Sequence, residues 1–281
     1  MIREVEGGWI SGVAPPTMKR WFRKHRRPAV SGGTAQGEKV ALFYTCLVNY
    51  NEPDIGKAAV RVFEKNGVEC AVPKQQCCGL PLIDAGLLDQ ATRKIKANVK
   101  VLSQKVREGY QIVVPSASCS MMLKKEYPHF LPTEESRLVA RNSYDLAEYL
   151  VKLNGAGKLD TNFSPQAGQA AQKFRYHQPC HLMAQRMGFK GEELLKVLPG
   201  AEVMHLQCCS GHDGSWSVKK EYFEESLKVG KPLFNFMKAD ESACCVTDCP
   251  LSAIQIQQGA GKHAIHPVVA LAQAYGIDYT R

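Results

Sequence analysis

The sequence predicts a mixed α/β protein with two consecutive parallel sheets, each flanked by helices. Short buried apolar runs alternate with amphipathic helical patterns, which is typical of parallel βαβ units. One set of cysteines occurs in each half of the chain, and equivalent cysteines are 130 to 134 residues apart. An internal repeat of this kind indicates two similar lobes, which we place at residues 39–154 and 173–281.

Residues 1–38 have the composition of an irregular basic arm. Glycine, proline and serine are frequent there, and Met18–Arg27 carries six cations and no acid. Such a stretch can dock on an acidic protein, anionic lipid or nucleic acid, or lie solvated along a neighbouring subunit. We expect no signal peptide, because the basic residues are not followed by an apolar stretch.

Three strands and three helices follow in the first lobe. Pro53 suits the first turn of a helix and Gly67 suits the position just after its end. Apolar residues at helical spacing predict the long second helix. The predicted strands are 39–45, 68–73 and 111–115, and the predicted helices are 53–66, 87–107 and 143–153.

The pattern restarts after residues 155–172, which are small, polar and turn-rich and therefore predict a linker. The second lobe repeats the alternation of strands and helices. Its predicted strands are 173–177, 201–206 and 243–248, and its predicted helices are 221–238 and 267–275.

The 11 cysteines are the unusual feature of the composition, which is otherwise that of a globular protein with a net charge of +9. Without a secretory signal we expect reduced thiols, so metal or redox chemistry is favoured over disulfides. The repeated cysteines each lie just after a predicted strand, and the carboxyl ends of parallel strands meet at one edge. Four thiols should therefore gather in each half: Cys46, Cys77, Cys78 and Cys119, then Cys180, Cys208, Cys209 and Cys249.

Four converging thiolates suit an iron–sulfur cluster or a structural zinc ion. Two ligands of each set are adjacent, and adjacent side chains point to different sides of the backbone. They therefore serve different atoms of a cluster more easily than one ion, which favours iron–sulfur clusters over zinc. Buried thiols without any metal are the least favoured interpretation.

The doubled arrangement of a cysteine, a Cys-Cys pair and a third cysteine-bearing turn resembles the cysteine-rich CCG domain family. Members include the B subunit of heterodisulfide reductase. The resemblance covers about residues 39–278, most strongly to the C-terminal half of the C subunit of anaerobic glycerol-3-phosphate dehydrogenase and to the glycolate oxidase iron–sulfur subunit. It is carried by PKQQCCGLPLIDAG (73–86), HQPCHLMAQ (177–185) and VTDCPLSAIQIQQGAGKHAIHP (246–267). It implies two tandem Rossmann-like lobes with two clusters, expected as [4Fe–4S], with zinc in one half as the alternative.

The chain departs from the family pattern at three serines. Relatives often have a CxxC pair in the third element, and here Ser116 stands at the first position of that pair in the first half and Ser252 at the last position in the second half, while Ser210 stands where the first half has Gly79. A hydroxyl is a harder and less acidic donor than a thiol. The heterodisulfide reductase relatives bind a disulfide-cleaving cluster through five thiolates, and the serines leave only four per half here. Four thiolates per half better match clusters that carry electrons.

No CxxCxxCxxxCP run precedes the first lobe, although the most similar relatives usually carry two. The resemblance then implies a separate ferredoxin-like or flavin subunit, other oxidoreductase subunits and a membrane quinone-reactive subunit as partners. No P-loop or GxGxxG motif follows a strand, so we expect no bound nucleotide, and we expect no nucleic acid partner. The expected location is cytoplasmic or peripheral on the inner face of the membrane.

Further candidates are weaker. Cys245 is a candidate extra ligand of the second cluster, although it is more easily explained as a packed strand residue. His181 and His212 are candidate proton-transfer residues beside the second set, with capping or solvated-loop roles as the alternatives. Cys70 alternates with core residues and is expected to pack.

The sequence thus favours an iron–sulfur electron-transfer subunit of a multi-subunit oxidoreductase. It would relay electrons from a dehydrogenase or ferredoxin-like partner to a quinone, membrane or disulfide acceptor. A heterodisulfide-reductase-type catalytic subunit and a zinc-stabilised interaction module are the alternatives.

Overall fold

Two four-stranded sheets organise the chain in a computed structural model that describes residues 14–25, 32–165, 172–214 and 216–279. The strands are β1 Lys39–Leu42, β2 Glu69–Ala71, β3 Gln111–Val114, β4 Ser143–Asp145, β5 Gln172–Gln178, β6 Ala201–Gln207, β7 Cys244–Thr247 and β8 Ala264–Ile265. All neighbouring strands are parallel. The orders β2-β1-β3-β4 and β6-β5-β7-β8 are the same when each half is counted from its own first strand, so the predicted repeat of parallel α/β lobes is confirmed.

The helices connect the strands and cover both faces of the sheets. They are α1 Met18–Lys24, α2 Cys46–Tyr50, α3 Pro53–Lys65, α4 Leu80–Asp84, α5 Leu88–Arg107, α6 Ala117–Met121, α7 Tyr127–Phe130, α8 Glu134–Arg141, α9 Leu146–Gly155, α10 Cys180–Met183, α11 Lys190–Leu195, α12 Lys220–Lys238, α13 Pro250–Ala260 and α14 Pro267–Ala274. A π-helical segment, Met122–Glu126, joins α6 to α7.

The sheets have one strand more per half than the sequence patterns predict. The missed strands, β4 and β8, have three and two residues, too few to show a period. The predicted helix at 143–153 begins instead at Leu146, because Asp145 ends β4 and caps α9 by accepting a hydrogen bond from the Ala147 N–H at 3.1 Å. Helix starts at such capping aspartates are common.

One hydrophobic core is shared by both halves. Helix α3 packs on α14, and α9 packs on α11, so helices of the two lobes meet between the sheets. Fully buried side chains from both halves line this layer, among them Leu42, Val60, Tyr149, Tyr176 and Val246. Parallel strands covered on both faces are expected to be largely apolar, as β1 and β3 are after their first residues, Lys39 and Gln111.

Each sheet also packs against a separate hydrophobic core on its other face. In the first half, Ile95 and Leu102 of α5 pack with Ile112 and Tyr127. In the second half, Leu233, Phe234 and Met237 of α12 pack against β7 and α13. Every sheet is therefore fixed between its own helices and the shared layer.

The basic arm contains a helix, which corrects the expectation of an irregular segment. Met18, Trp21 and Phe22 have helical spacing and are buried where α1 packs on α2 and α3. His25 forms a hydrogen bond of 2.7 Å with Glu64 on α3. Burial of three large apolar side chains explains the helix, and its cations remain on the exposed side. Arg26 and Arg27 lie outside the described residues.

Part of the predicted linker is fixed to both halves. The Asp160 N–H donates a hydrogen bond of 2.6 Å to the Asn66 side chain, and the Lys65 ammonium pairs with the Asp160 carboxylate at 2.9 Å. The Tyr275 hydroxyl, from the second half, donates to the Asp160 carbonyl. Residues 166–171 of this segment lie outside the described residues. Among the residues that the structure describes, no helix combines the length and apolar character needed to cross a membrane.

Candidate functional site

The first thiol set lies at the carboxyl ends of β1, β2 and β3. Cys46 begins α2, Cys77 and Cys78 precede α4, and Cys119 lies in α6. Cys78 is buried, Cys77 and Cys119 are half-buried, and Cys46 is exposed. Because β1 lies between β2 and β3, the loops that follow these strands are neighbours, and ligands of such sheets bind at this point.

The four thiols of the first set contact one another. The Sγ atoms of Cys119 and Cys78 are 3.3 Å apart. Hydrogen bonds from Cys46 and then Cys78 lower the pKa of the Cys77 thiol, while the hydrogen bond to Cys77 raises the pKa of Cys46. The hydrogen bond with Cys119 raises the pKa of buried Cys78. A continuous chain of contacts therefore joins the four predicted ligands.

A buried amide holds the Cys77–Cys78 loop in place. The Asn98 side chain on α5 donates to the Cys77 carbonyl at 3.1 Å and accepts from the Gln76 N–H at 2.7 Å. The Tyr127 hydroxyl lies 3.0 Å from the same amide. Gly79 then turns the chain into α4 with φ of 101°, a conformation that favours glycine. Asn98 was not predicted, because a buried polar residue in an amphipathic helix pattern carries no signal of its contact.

The second thiol set occupies the equivalent positions of the second half. Cys180 begins α10 after β5, Cys208 and Cys209 follow β6, and Cys249 caps α13 after β7. Cys180 and Cys209 are exposed, and Cys249 is buried. Burial, followed by the charge of Cys209, raises the pKa of Cys180, and the same two causes raise the pKa of Cys208 to about 11. These mutual effects show that the predicted second set is also brought together.

A histidine supports the second Cys-Cys loop where the first half uses Asn98. His177, in β5, forms hydrogen bonds of 3.1 Å with the Cys208 carbonyl and with the Thr247 hydroxyl. Burial lowers its pKa to about 4, so the imidazole is neutral near pH 7. Gly211 has φ of 81° and donates its N–H to the Cys209 thiol at 3.3 Å. The glycine that the first half has at Gly79 is therefore displaced by one position rather than lost.

The serines at the CxxC positions differ between the halves. Ser252 donates a hydrogen bond to Ser210 at 3.2 Å. Burial raises the pKa of the Cys249 thiol, and hydrogen bonds with Ser252 lower it in part. Ser116 is buried at the start of α6, but its hydroxyl does not cap that helix. Of these two serines, Ser252 in the second set is the one that affects a ligand thiol, that of Cys249.

The two sets face each other across the junction between the lobes. Buried Cys249 packs with Ala117 and Leu182, and the charge of Cys119 contributes to its raised pKa. His181 spans the junction through a hydrogen bond of 2.8 Å between its Nδ1 atom and the Ser118 hydroxyl. This contact was not predicted, since the two residues are 63 positions apart.

The candidate proton-transfer residues differ in their surroundings. Burial lowers the pKa of His181 and of His212, so both favour the neutral form. Both ring nitrogens of His212 are buried and have no hydrogen-bond partner among the described residues. His212 can therefore still donate one hydrogen bond and accept another beside the second set.

The remaining cysteines pack away from the two sets. Cys245 lies in the core beneath α12, with its Sγ atom 3.8 Å from the Met237 carbonyl, and its charged neighbours are Lys262, Arg175 and Glu241. The structure does not bring it to the second set, because it lies in β7 whereas Cys249 follows that strand. Cys70 is buried in the shared core.

The donor sets fit a multinuclear cluster better than a single ion. Thiolates are soft ligands that suit iron–sulfur clusters, and each half brings four of them to one edge of its sheet. Two of the four are adjacent in sequence and point to different sides of the backbone, so they can reach different iron atoms. The residues present therefore fit an iron–sulfur cluster.

The comparisons with known proteins agree with this chemistry. The cysteine-rich domain of the CCG family matches residues 40–124 and 174–257. The chain is 33% identical over 264 residues to the C subunit of anaerobic glycerol-3-phosphate dehydrogenase of Escherichia coli (strain K12), covering 92% of this chain and 63% of the relative. It is 30% identical over 245 residues to the B subunit of fumarate reductase (CoM/CoB) of Methanothermobacter marburgensis, covering 85% and 45%.

A third relative is lactate utilization protein A of Bacillus velezensis, 30% identical over 222 residues and covering 75% of this chain and 83% of the relative. The chain thus spans less than two thirds of the first two relatives. Family and relatives together support iron–sulfur clusters and electron transport in an oxidoreductase system. The chain belongs to the cysteine-rich CCG domain family, with one copy of the domain in each half.

Proposed function

We propose that this chain is the iron–sulfur electron-transfer subunit of a multi-subunit oxidoreductase, with lobes at residues 39–154 and 173–281. The observation that supports this most is the repeated placement of four thiols at the carboxyl edge of each sheet, with direct sulfur–sulfur contact in the first. Two cysteine sets on facing edges suit two redox centres close to each other. Relatives that are subunits of a dehydrogenase and of a reductase support the same role.

The proposed ligands are the eight repeated cysteines, four for each of two [4Fe–4S] clusters. Such clusters supply one-electron transfer. The protein itself would orient and shield the clusters. Asn98 and His177 fix the two Cys-Cys loops through backbone carbonyls, and the N–H of Gly211 aims at the Cys209 sulfur. Hydrogen bonds to ligand sulfurs tune the reduction potential.

The proposed partners are an electron donor and an electron acceptor. The donor would be a separate ferredoxin-like or flavin subunit. Helix α1 presents Lys19, Arg20, Arg23 and Lys24 on its exposed side and could attach the chain to a partner or to the cytoplasmic membrane surface.

A cleft between the lobes supports a quinone as the acceptor. Its volume is about 430 Å³, and its walls include Ala253, Ile254 and Ala264, with the Glu52 carboxyl and the His263 imidazole at its polar end. Apolar clefts with a few polar groups suit small organic ligands. Filling it by Ala253→Phe should abolish quinone reduction and leave reduction of the protein by dithionite unchanged. Unchanged quinone reduction would exclude this cleft.

A second candidate function is disulfide chemistry at the second set. It is favoured by the exposure of Cys180 and Cys209 and by the unpartnered imidazole of His212. A cluster that cleaves a disulfide must bind substrate sulfur, whereas a relay needs no open position. EPR spectra of the oxidised protein that do not change with thiol support the relay. A paramagnetic species that forms only with thiol would establish the disulfide function.

The first experiment is anaerobic purification followed by iron, sulfide and zinc analysis and EPR. About eight iron atoms and eight sulfides per chain are expected for two cubane clusters. Zinc in place of iron, with no visible absorbance, would contradict the proposal and favour a zinc-stabilised module.

A further inference from the structure

The second sheet ends in a long edge strand with an exposed apolar residue at its centre. Strand β6 has seven residues and pairs only with β5, whereas the edge strand β2 of the first sheet has three. Met204, in the middle of β6, is 60% exposed, more than any other large apolar side chain that the structure describes. Proteins usually shorten such edges or place charges on them, because an exposed apolar edge pairs readily with another chain. In the first half β2 is short, and its Glu69 pairs with Lys39 at 3.6 Å.

Helix α12 lies on the same face of the sheet as Met204 but covers the neighbouring strand. Arg175, in β5, is beside Met204 in the register of the sheet, so both side chains are on one face. The Arg175 guanidinium donates a hydrogen bond of 2.9 Å to the Phe236 carbonyl of α12, and it lies 4.9 Å from the centre of the Phe236 ring. These contacts fix α12 over β5.

The flank of α12 that faces β6 is open. Its other flank is occupied, because the Phe234 ring packs against Gly259 of α13, and α13 covers β7 and β8. Val229 and Phe236 share the open flank, about two helical turns apart. Val229 is 50% exposed, and the helices that the structure describes leave Met204 uncovered on this face. An apolar groove therefore runs between α12 and β6; this edge groove consists of Arg175, Glu202, Met204, Val229 and Phe236.

The edge groove has one acid and one cation that are not paired with each other. Glu202 is exposed and lies on the same face as Met204, because side chains two apart in a strand share a face. The Nε atom of Arg175 is buried and has no hydrogen-bond partner among the described residues. Neither Glu202 nor Arg175 forms an ion pair within the described part of the chain, although Lys173 lies beside Glu202 in the register. A partner that fits this groove must therefore offer both charges, in the reverse order along its strand.

We propose that the edge groove receives β6 of a second copy of this chain, with the two β6 strands antiparallel about a two-fold axis at Val203. This register places Glu202 of each copy opposite Met204 of the other. Glu202 then shares one row with its own Lys173 and with Arg175 of the other copy, whose Cα atom is about 10 Å away, twice the strand spacing. Each acid is flanked by cations and each Met204 is covered. A two-fold interface of this kind matches one surface with itself.

Sedimentation velocity of the anaerobically purified full chain, at several protein concentrations, tests the proposal. The wild type should form dimers, and Met204→Glu should weaken dimerisation about tenfold, because a new acid then lies opposite Glu202 in both halves of the strand pair. The matched control Leu88→Glu changes a side chain of the first half that is 49% exposed, and it should dimerise like the wild type. A wild type that stays monomeric at every concentration would overturn the proposal, as would equal dissociation constants for Met204→Glu and the control.

An exchange of charges between copies tests the antiparallel register. Glu202→Lys and Arg175→Glu should each weaken dimerisation about tenfold, since each variant places like charges in both rows. An equimolar mixture of the two variants should recover dimers, because every row then combines opposite charges. In the wild type, hydrogen exchange at the β6 amides should also slow as protein concentration rises, and in Met204→Glu it should not. Failure of the mixture to recover dimers, with both variants folded by circular dichroism, would overturn the proposal.

Discussion

The two halves have the same sheet order and the same cysteine positions, but their thiols have different surroundings. In the first half the Cys-Cys loop is held by a neutral amide, Asn98, and a cation, Lys94, acts on the thiols. In the second half the loop is held by His177, and the nearby polar groups are His181, His212 and the acid Asp213.

This difference shows which part of a duplicated domain can change. Ligand positions depend on strand ends, which the shared sheet order fixes, whereas the supporting side chains come from different elements. The first set has a cation, Lys94, whose charge acts on the thiols of Cys46 and Cys77. The second set, with two exposed thiols and imidazoles at its rim, is suited to small molecules and protons.

The largest effect should come from removing one ligand pair. The double variant Cys77→Ala, Cys78→Ala should lose about half of the iron and sulfide, because each half holds its own ligands. Iron analysis and EPR of the folded protein measure this. The control Cys70→Ala, in the core of the same half, should retain all the iron. Loss of both centres from a folded double variant would show that the two sets share ligands.

The arm should stabilise the folded chain, since α1 packs on α2 and α3. Met18 is fully buried, so Met18→Ala should lower the free energy of unfolding by about 3 kcal/mol in urea denaturation. The exposed control Arg23→Ala should change it by less than about 0.5 kcal/mol. Deleting residues 1–36 should therefore weaken the fold as well as partner assembly. A Met18→Ala protein as stable as wild type would contradict the packing of α1.

Acid should affect the second half through a buried histidine. His266 accepts the Val268 N–H at the start of α14, and burial lowers its pKa to about 3. The unfolded state binds this proton at higher pH, so the stability contributed by the neutral His266 falls as pH drops below about 6.5, by about 1 kcal/mol per pH unit.

The variant His266→Asn retains a capping acceptor and cannot take up the proton. Its free energy of unfolding between pH 7 and pH 5 should depend less on pH than that of the wild type, measured in urea. Identical pH slopes for the two proteins would contradict a buried neutral His266.

The smallest effect should separate the two serines. Ser252→Ala removes a hydroxyl that lowers the pKa of the Cys249 thiol, and should lower the potential of the second centre. Ser116→Ala is the matched control in the first half and should leave the first potential unchanged. Redox titration followed by EPR measures both. If Ser252→Ala and Ser116→Ala shifted the reduction potentials of their own centres equally, the effect of Ser252 on the Cys249 thiol would not explain the shift.

The positions of the eight repeated cysteines could be predicted because each follows a predicted strand, and parallel strands bring their carboxyl ends together. The sheets could be predicted for the same reason, apart from β4 and β8, which are too short to show alternation. The contacts of Asn98 and His181 could not be predicted, since they depend on how helices and lobes pack rather than on local spacing. The helical part of the arm was missed because six cations obscured the spacing of three apolar residues.

The shared layer of α3, α9, α11 and α14 has a mechanical consequence. Two lobes that bury side chains in one core cannot hinge apart without exposing it, so the two sets keep a fixed separation. In the proposed relay, electron passage between them would need no domain closure, only small local reorganisation. A protease cut within residues 155–172 should leave a nicked but still associated protein, and the two halves should melt together in calorimetry as one cooperative unit.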